Sequence, residues 1–147
     1  MTQRDRDARM DEALSLEHLL SRMANVQLFI ILMRPTELHV VNSDEGKELL
    51  REHLQWQFDL EERGLLLGAG PLDFQYKRPT GDEKLVDAIG ISIIAATSRE
   101  EAERIAATEP FRMHGWRETQ VVSWHLNEGV GAALARELVA AATTPSP

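Results

Sequence analysis

Between Gln27 and Met33 the chain reads Gln27-Leu28-Phe29-Ile30-Ile31-Leu32-Met33, an apolar run stopped by Arg34-Pro35. An alternating strand buries one face and wets the other; a run without alternation is buried on both. A layer of helices covers only one face of a sheet. The other face must meet something else, and a second sheet from a partner chain is an economical cover. The run therefore points to a sheet sandwiched on both sides and to a homodimer packed sheet against sheet.

The rest of the chain supplies the other layers. Met10, Ala13, Leu14, Leu16, Leu19, Leu20 and Met23 recur at helical spacing, which predicts an amphipathic helix over 11–23, covering a sheet edge or the core rim or packing on a partner subunit. Asn42-Ser43-Asp44-Glu45 opens a second helix, with Asn42 and Glu45 at capping-box spacing. It should run to about Arg63 and stop at Gly64. Leu65 to Gly70 reads as a short buried strand ending in Gly70-Pro71. The polar stretch 73–84 contains a turn signal, Pro79-Thr80-Gly81-Asp82. Residues 85–97 form the next strand, with Ile89, Ile91 and Ile93 on one face. Ala88, Gly90, Ser92 and Ile94 form the other, which leaves room for a backbone or a ligand to approach. Ser98-Arg99-Glu100-Glu101 is a capping box, and its helix should end near Thr108 because Pro110 follows. A final strand over 119–126 sets Val122, Trp124 and Leu126 on one face. An Ala-rich helix follows over 130–142, and residues 143–147 should fray.

The central order is β-α-β-β-α-β. Two split βαβ halves of this kind make a ferredoxin-like α+β sandwich, with a four-stranded antiparallel sheet and two helices on one face. Residues 1–25 read as a helical extension, 26–127 as the domain, and 128–147 as a C-terminal helix and tail.

Composition narrows the function. A length of 147 residues fits one domain with a core of its own. A net charge of −8 leaves no footprint for nucleic acid. There is no cysteine, which removes thiolate chemistry and Cys-based zinc sites. No apolar run reaches the roughly 20 residues a membrane helix needs. The charged start MTQRDRDARMDEA has no apolar signal core, so a soluble cytoplasmic protein is expected.

The residue that resists a bland reading is His53. Wound at about 100° per residue, the helix gathers Glu48, Arg51, Glu52, Gln55, Asp59, Glu62 and Arg63 on one side. Leu49, Leu50, Leu54, Trp56, Phe58 and Leu60 lie on the other, and His53 falls among them. Its ring should point toward the sheet. Two readings stay open: a core histidine bonded to a backbone carbonyl, or an imidazole oriented by a carboxylate for proton transfer.

The order of several short motifs resembles the YCII-related (YciI-like) family over roughly Gln27 to Leu126. The motifs are His53-Leu54 on a helix ending at Gly64, and Gly70-Pro71 after the second strand. Glu100-Glu101-Ala102 in the next helix and Glu109-Pro110-Phe111 at its end complete the set. The resemblance implies the ferredoxin-like, dimeric α+β barrel. It implies a histidine and the aspartate of Asp-Pro-Phe as the active pair, carried here by His53 and Glu109. Glutamate stands where the family pattern has aspartate, one methylene longer. The resemblance also implies cofactor-independent proton transfer on small organic molecules. A dehydrochlorinase of chlorinated aromatics belongs to the family, and muconolactone isomerases share its fold.

Around that pair, Gly70, Pro71, Trp56, Phe111 and Trp124 are candidate ligand contacts, with Trp116 as a further aromatic. Arg34 could grip a carboxylate bidentately, and His114 could complete a polar pocket. Each has a plainer reading, as core packing for the aromatics and as solvated loop residues for Arg34 and His114. His39 and His125 sit near strand ends and carry no assigned role. Neither H-E-x-x-H nor His-x-His spacing occurs, so no metal is expected. Gly68-Ala69-Gly70 has no helix after it to hold a phosphate, and no nucleophile elbow is present. The expected function is a cofactor-independent lyase or isomerase acting on a small, largely apolar or aromatic compound. The rivals are a non-catalytic dimeric module for a small ligand or protein, and a higher assembly built by the terminal helices.

Overall fold

The computed structural model describes residues 1–39, 43–73 and 89–144. Its elements are α1 (Gln3–Ala13), α2 (Leu16–Ser21), β1 (Val26–Pro35), α3 (Asp44–Glu62) and β2 (Leu66–Pro71). After these come β3 (Gly90–Ile94), α4 (Arg99–Ala107), α5 (Pro110–Met113), β4 (Arg117–Leu126) and α6 (Ala132–Thr143). The turn expected at 79–82, and the part of the expected third strand over 85–88, lie outside the described residues.

Four antiparallel strands form one sheet in the order β2-β3-β1-β4. The apolar run is β1, an inner strand paired along both edges, with buried residues on both of its faces. Phe29, Ile31 and Met33 are buried beneath α3 and α4 with Ile94, Leu60, Ala102 and Ile105. Leu28 and Val26, on the opposite face, are buried too. Their cover comes from the same chain: Ala135, Leu138, Val139 and Ala142 of α6 pack there with Trp124 and Leu126. So one half of the second face is closed without a partner. Ile30, Leu32, Ile91 and Val122 on that face stay half-buried and join no core cluster.

The helix boundaries follow local chemistry. The cap of α3 is Ser43, whose hydroxyl accepts from the Gly46 N–H at 3.0 Å. The expected capping residue Asn42 lies outside the described residues. α3 ends at Gly64, which takes φ +70°, a conformation costly for any residue with a Cβ. Gly64→Ala is therefore expected to cost about 1 kcal/mol, read as a lower urea midpoint at unchanged m-value. Ser98 caps α4 as its motif requires, its hydroxyl accepting from the Glu101 N–H.

Two differences from the sequence reading have physical causes. The N-terminal segment is two helices. Ser15 interrupts the pattern by capping α2, and the polar start is itself helical behind a Thr2/Asp5 capping box. Met10, Leu14, Leu16, Leu19 and Leu20 are exposed, so within this chain they cover neither a sheet edge nor the core rim. The second difference is α5. Pro110 stops α4, but proline also suits the first position of a helix, and Glu109 before it is an N-cap. Phe111 of α5 is buried with Leu49 of α3 and Trp116, which anchors this short turn against α3.

Candidate active site

α3 directs His53 at the buried end of α5. Its Nδ1 lies 2.7 Å from Glu109 Oε1. Glu109 has no exposed surface, and the His53 side chain is 12% exposed. The same carboxylate caps α5: Oε1 also accepts from the Phe111 N–H at 3.2 Å, and Oε2 from the Arg112 N–H at 2.8 Å. Burial alone would push this carboxyl up. The His53 hydrogen bond, the two backbone N–H groups and the nearby imidazole charge outweigh it and hold Glu109 below the ordinary carboxylate value. Glu109 is therefore ionised at neutral pH. An ionised carboxylate can only accept, so Nδ1 of His53 is the donor in this contact; in the neutral ring the lone pair then falls on Nε2.

Trp56 braces the other side of the imidazole, its ring stacked at 6.0 Å and its Nε1 donating to Thr108 Oγ1 at 2.9 Å. Phe111 lies 5.7 Å from the His53 ring. The imidazole is thus held by a charge on one nitrogen and by rings beside it.

His53 opens onto a cavity of about 550 Å³ between α3 and the β2–β3 side of the sheet, within the usual size for small-molecule sites. Its walls include Met33, Leu50, Leu54, Phe58, Gly68, Gly70, Pro71, Gly90 and Arg117. The small face of β3 makes this space: Gly90 and Ser92 stand opposite Met33 and Ile31 on the side facing α3. Gln57, also lining the cavity, donates from Nε2 to Ser92 Oγ at 2.7 Å. The apolar arc of α3 accordingly divides. Leu49 and Leu60 enter the core, while Leu50, Leu54 and Phe58, at 46%, 46% and 56% exposure, form an apolar wall at the cavity.

Of the residues singled out in the sequence, the structure brings His53 to Glu109 and sets Gly70 and Pro71 on the cavity. It does not bring the others there. Arg34 points along the sheet and donates to Gln120 Oε1 at 3.0 Å. Trp56 and Phe111 pack behind His53, and Trp116 behind Phe111. Trp124 lies on the opposite face of the sheet under α6. His114 is exposed, its Nδ1 against the Pro110 carbonyl at 2.9 Å. Among the described residues no three His, Asp or Glu side chains converge as a metal site, and no helix is long and apolar enough to cross a membrane.

The structure also brings in residues that the sequence reading passed over. Gln57 stands one turn after His53, so helical spacing marks it. Arg117 is the first residue of β4 and shares the inner face with Val121 and Thr119. Starting the strand at Thr119 hid it. His39 packs on Phe111 and Trp116, and burial followed by the Arg117 charge holds its imidazole below the usual value.

These features define an α+β protein: one antiparallel sheet, a 19-residue helix across it, and a histidine with a buried carboxylate beside a cavity. The chain belongs to the YCII-related domain family, whose profile matches residues 27–125. A similar solved structure is that of 5-chloro-2-hydroxyhydroquinone dehydrochlorinase from Burkholderia phenoliruptrix AC1100, in complex with 2,5-dihydroxybenzoquinone. It is 20% identical, the match covers 66% of this chain and 92% of that one, and the TM-score is 0.47. No curated protein matches the chain.

Proposed function

We propose that the chain is a cofactor-independent enzyme that moves a proton on a small organic molecule, as a lyase or an isomerase does. His53 Nε2 is the general base or acid, and Glu109 fixes the tautomer and orientation of the ring. The 2.7 Å contact between His53 Nδ1 and Glu109 Oε1, beside an apolar cavity, carries this reading. A base held this way must come within about 3 Å of the proton it takes. The cavity walls of Met33, Leu50, Leu54 and Phe58 suit an apolar or aromatic compound. Incubation of aromatic and lactone compounds in D2O, followed by proton NMR, tests the reading through deuterium uptake or elimination. No exchange in any compound above the buffer rate would overturn it.

A second reading has its own support. Glu109 accepts two backbone N–H groups of α5, and this capping explains its burial without any catalytic duty. The protein would then be a ligand-binding module using the same cavity.

We further infer that the fold is the ferredoxin-like, dimeric α+β barrel arrangement and that two copies associate through the sheet face beside α6. The apolar patch Ile30, Leu32, Ile91 and Val122 supports it. Light scattering should give twice the chain mass, and Leu32→Lys should return it to the monomer value. A wild-type monomer at micromolar concentration would sink the dimer.

A further inference from the structure

Arg117 is a cation with no ion-pair partner among the described residues. Its guanidinium lies 3.8 Å over the Phe111 ring and lines the cavity that His53 opens onto. Its Nε is buried with no hydrogen-bond partner. Among the described residues Nη1 meets the Met33 sulfur at 3.7 Å, a weak acceptor. Among the described residues no carboxylate stands within ion-pair distance of it. Glu109 acts on it through space, but that carboxylate's oxygens serve His53, Phe111 and Arg112. Burial pushes the guanidinium below its ordinary value, with the Glu109 charge opposing. Among the described residues the carboxylate that lines the cavity is Glu61, exposed two turns beyond His53 along α3.

A partly buried arginine with no ion-pair partner among the described residues costs stability, and its planar fork matches a carboxylate, so an arriving anion would offset that cost. With its face on a ring, the guanidinium can turn its remaining N–H groups only edgewise, the geometry that takes a carboxylate. Along α3, Leu50, Leu54 and Phe58 form an exposed apolar stripe at four-residue spacing on the same cavity. A dry pocket of about 150 Å³ holds one benzene, and this cavity is several times larger.

We propose that the cavity binds an amphipathic organic acid, with its carboxylate on Arg117 and an extended apolar body along Leu50, Leu54 and Phe58. The inference rests on the reading above only in taking the His53 cavity as the ligand's site; it does not need the reaction. Arg117, at the inner start of β4, takes the anchoring role that the sequence suggested for Arg34.

The test is calorimetric titration with 2-naphthylacetate and its neutral counterpart 2-naphthylacetamide at neutral pH. The wild type should prefer the acid by at least about tenfold. Arg117→Met should weaken the acid by about thirtyfold or more and abolish the preference. Arg117→Gln serves if the methionine variant fails to fold. His53→Ala should keep the preference within a few-fold, which separates anion binding from proton transfer. Equal binding of the two compounds by the wild type, no binding of either at millimolar concentration, or a preference that survives loss of Arg117 would each overturn the proposal. If the preference holds while His53→Ala leaves proton exchange intact, the reaction reading falls and the anion site stands.

Discussion

His53→Ala is expected to lower proton exchange on any substrate by roughly 10²- to 10⁴-fold while leaving the chain folded. The two halves of that statement come from different sides of the ring. Nδ1 is engaged by Glu109, so Nε2 is the nitrogen proposed to act on a ligand in the cavity that His53 lines, and it vanishes with the side chain. The fold loses one charge-assisted hydrogen bond, worth about 1.5–3 kcal/mol, but Glu109 keeps both backbone donors of α5. Added imidazole should restore part of the exchange, because the vacated volume adjoins the cavity. Turnover equal to wild type would remove His53 from the mechanism. Glu109→Gln sharpens the point. The amide must offer an NH2 where the carboxylate had an oxygen. Turned toward Arg112, it opposes donor to donor; turned toward His53, it meets the Phe111 N–H donor to donor, makes Nδ1 an acceptor and moves the ring proton to Nε2. In the second arrangement the base is lost while the ring stays in its position. Glu109→Gln should therefore depress exchange by about 10²-fold or more. Glu109→Asp restores the residue of the family pattern and should retain activity. A fully inactive aspartate variant would argue against the pairing.

How much of this was legible in the sequence depends on which interactions are local. The end of α3 and the start of α4 are legible in Gly64 and Ser98, residues whose effects act within one turn, while the cap of α3 is Ser43, one residue after the expected Asn42. The unalternating β1 required two covered faces; α3 and α4 cover one, and α6 of the same chain covers the part of the other over Leu28, leaving Ile30 and Leu32 half-buried. A hydrophobic pattern states that a surface is buried, never what buries it. His53 stood out for the same reason, as a titratable ring on an apolar arc. Its partner became readable only through the family motif, because 56 residues separate the two. The aromatics were harder. Trp56, Phe111 and Trp124 are equally apolar in sequence, yet two pack behind the imidazole and one lies on the opposite face of the sheet. Strand parity separates Trp124 from Arg117. Read back from Val121 through Thr119, that parity would have set Arg117 on the inner face.

Glu109→Ala should be the most destabilising single change at the site, by about 3–5 kcal/mol, the usual cost of removing one member of a buried charged pair. Three donors converge on this carboxylate, and all three lose an acceptor at once. The two backbone N–H groups begin α5, whose four residues are too few to hold a helix without a cap. Phe111 would loosen with α5, and Leu49 and Trp116 with it. Urea unfolding at neutral pH measures the loss. Its pH dependence then tests the cause. Glu109 is held below its ordinary value of 4.5, against its burial, by His53 and the α5 amides. A group whose folded pKa lies below its unfolded one contributes its full stabilisation above the unfolded value and loses it as pH falls through the folded one. The wild type should therefore lose stability below about pH 4.5, and Glu109→Ala should lose less over the same range, so the two curves converge toward acid. A gap that stays constant from neutral to acid pH would mean that the carboxylate stabilises the fold by shape alone. It would then be a capping side chain that the imidazole happens to touch, and the ligand-binding reading would take precedence over the catalytic one.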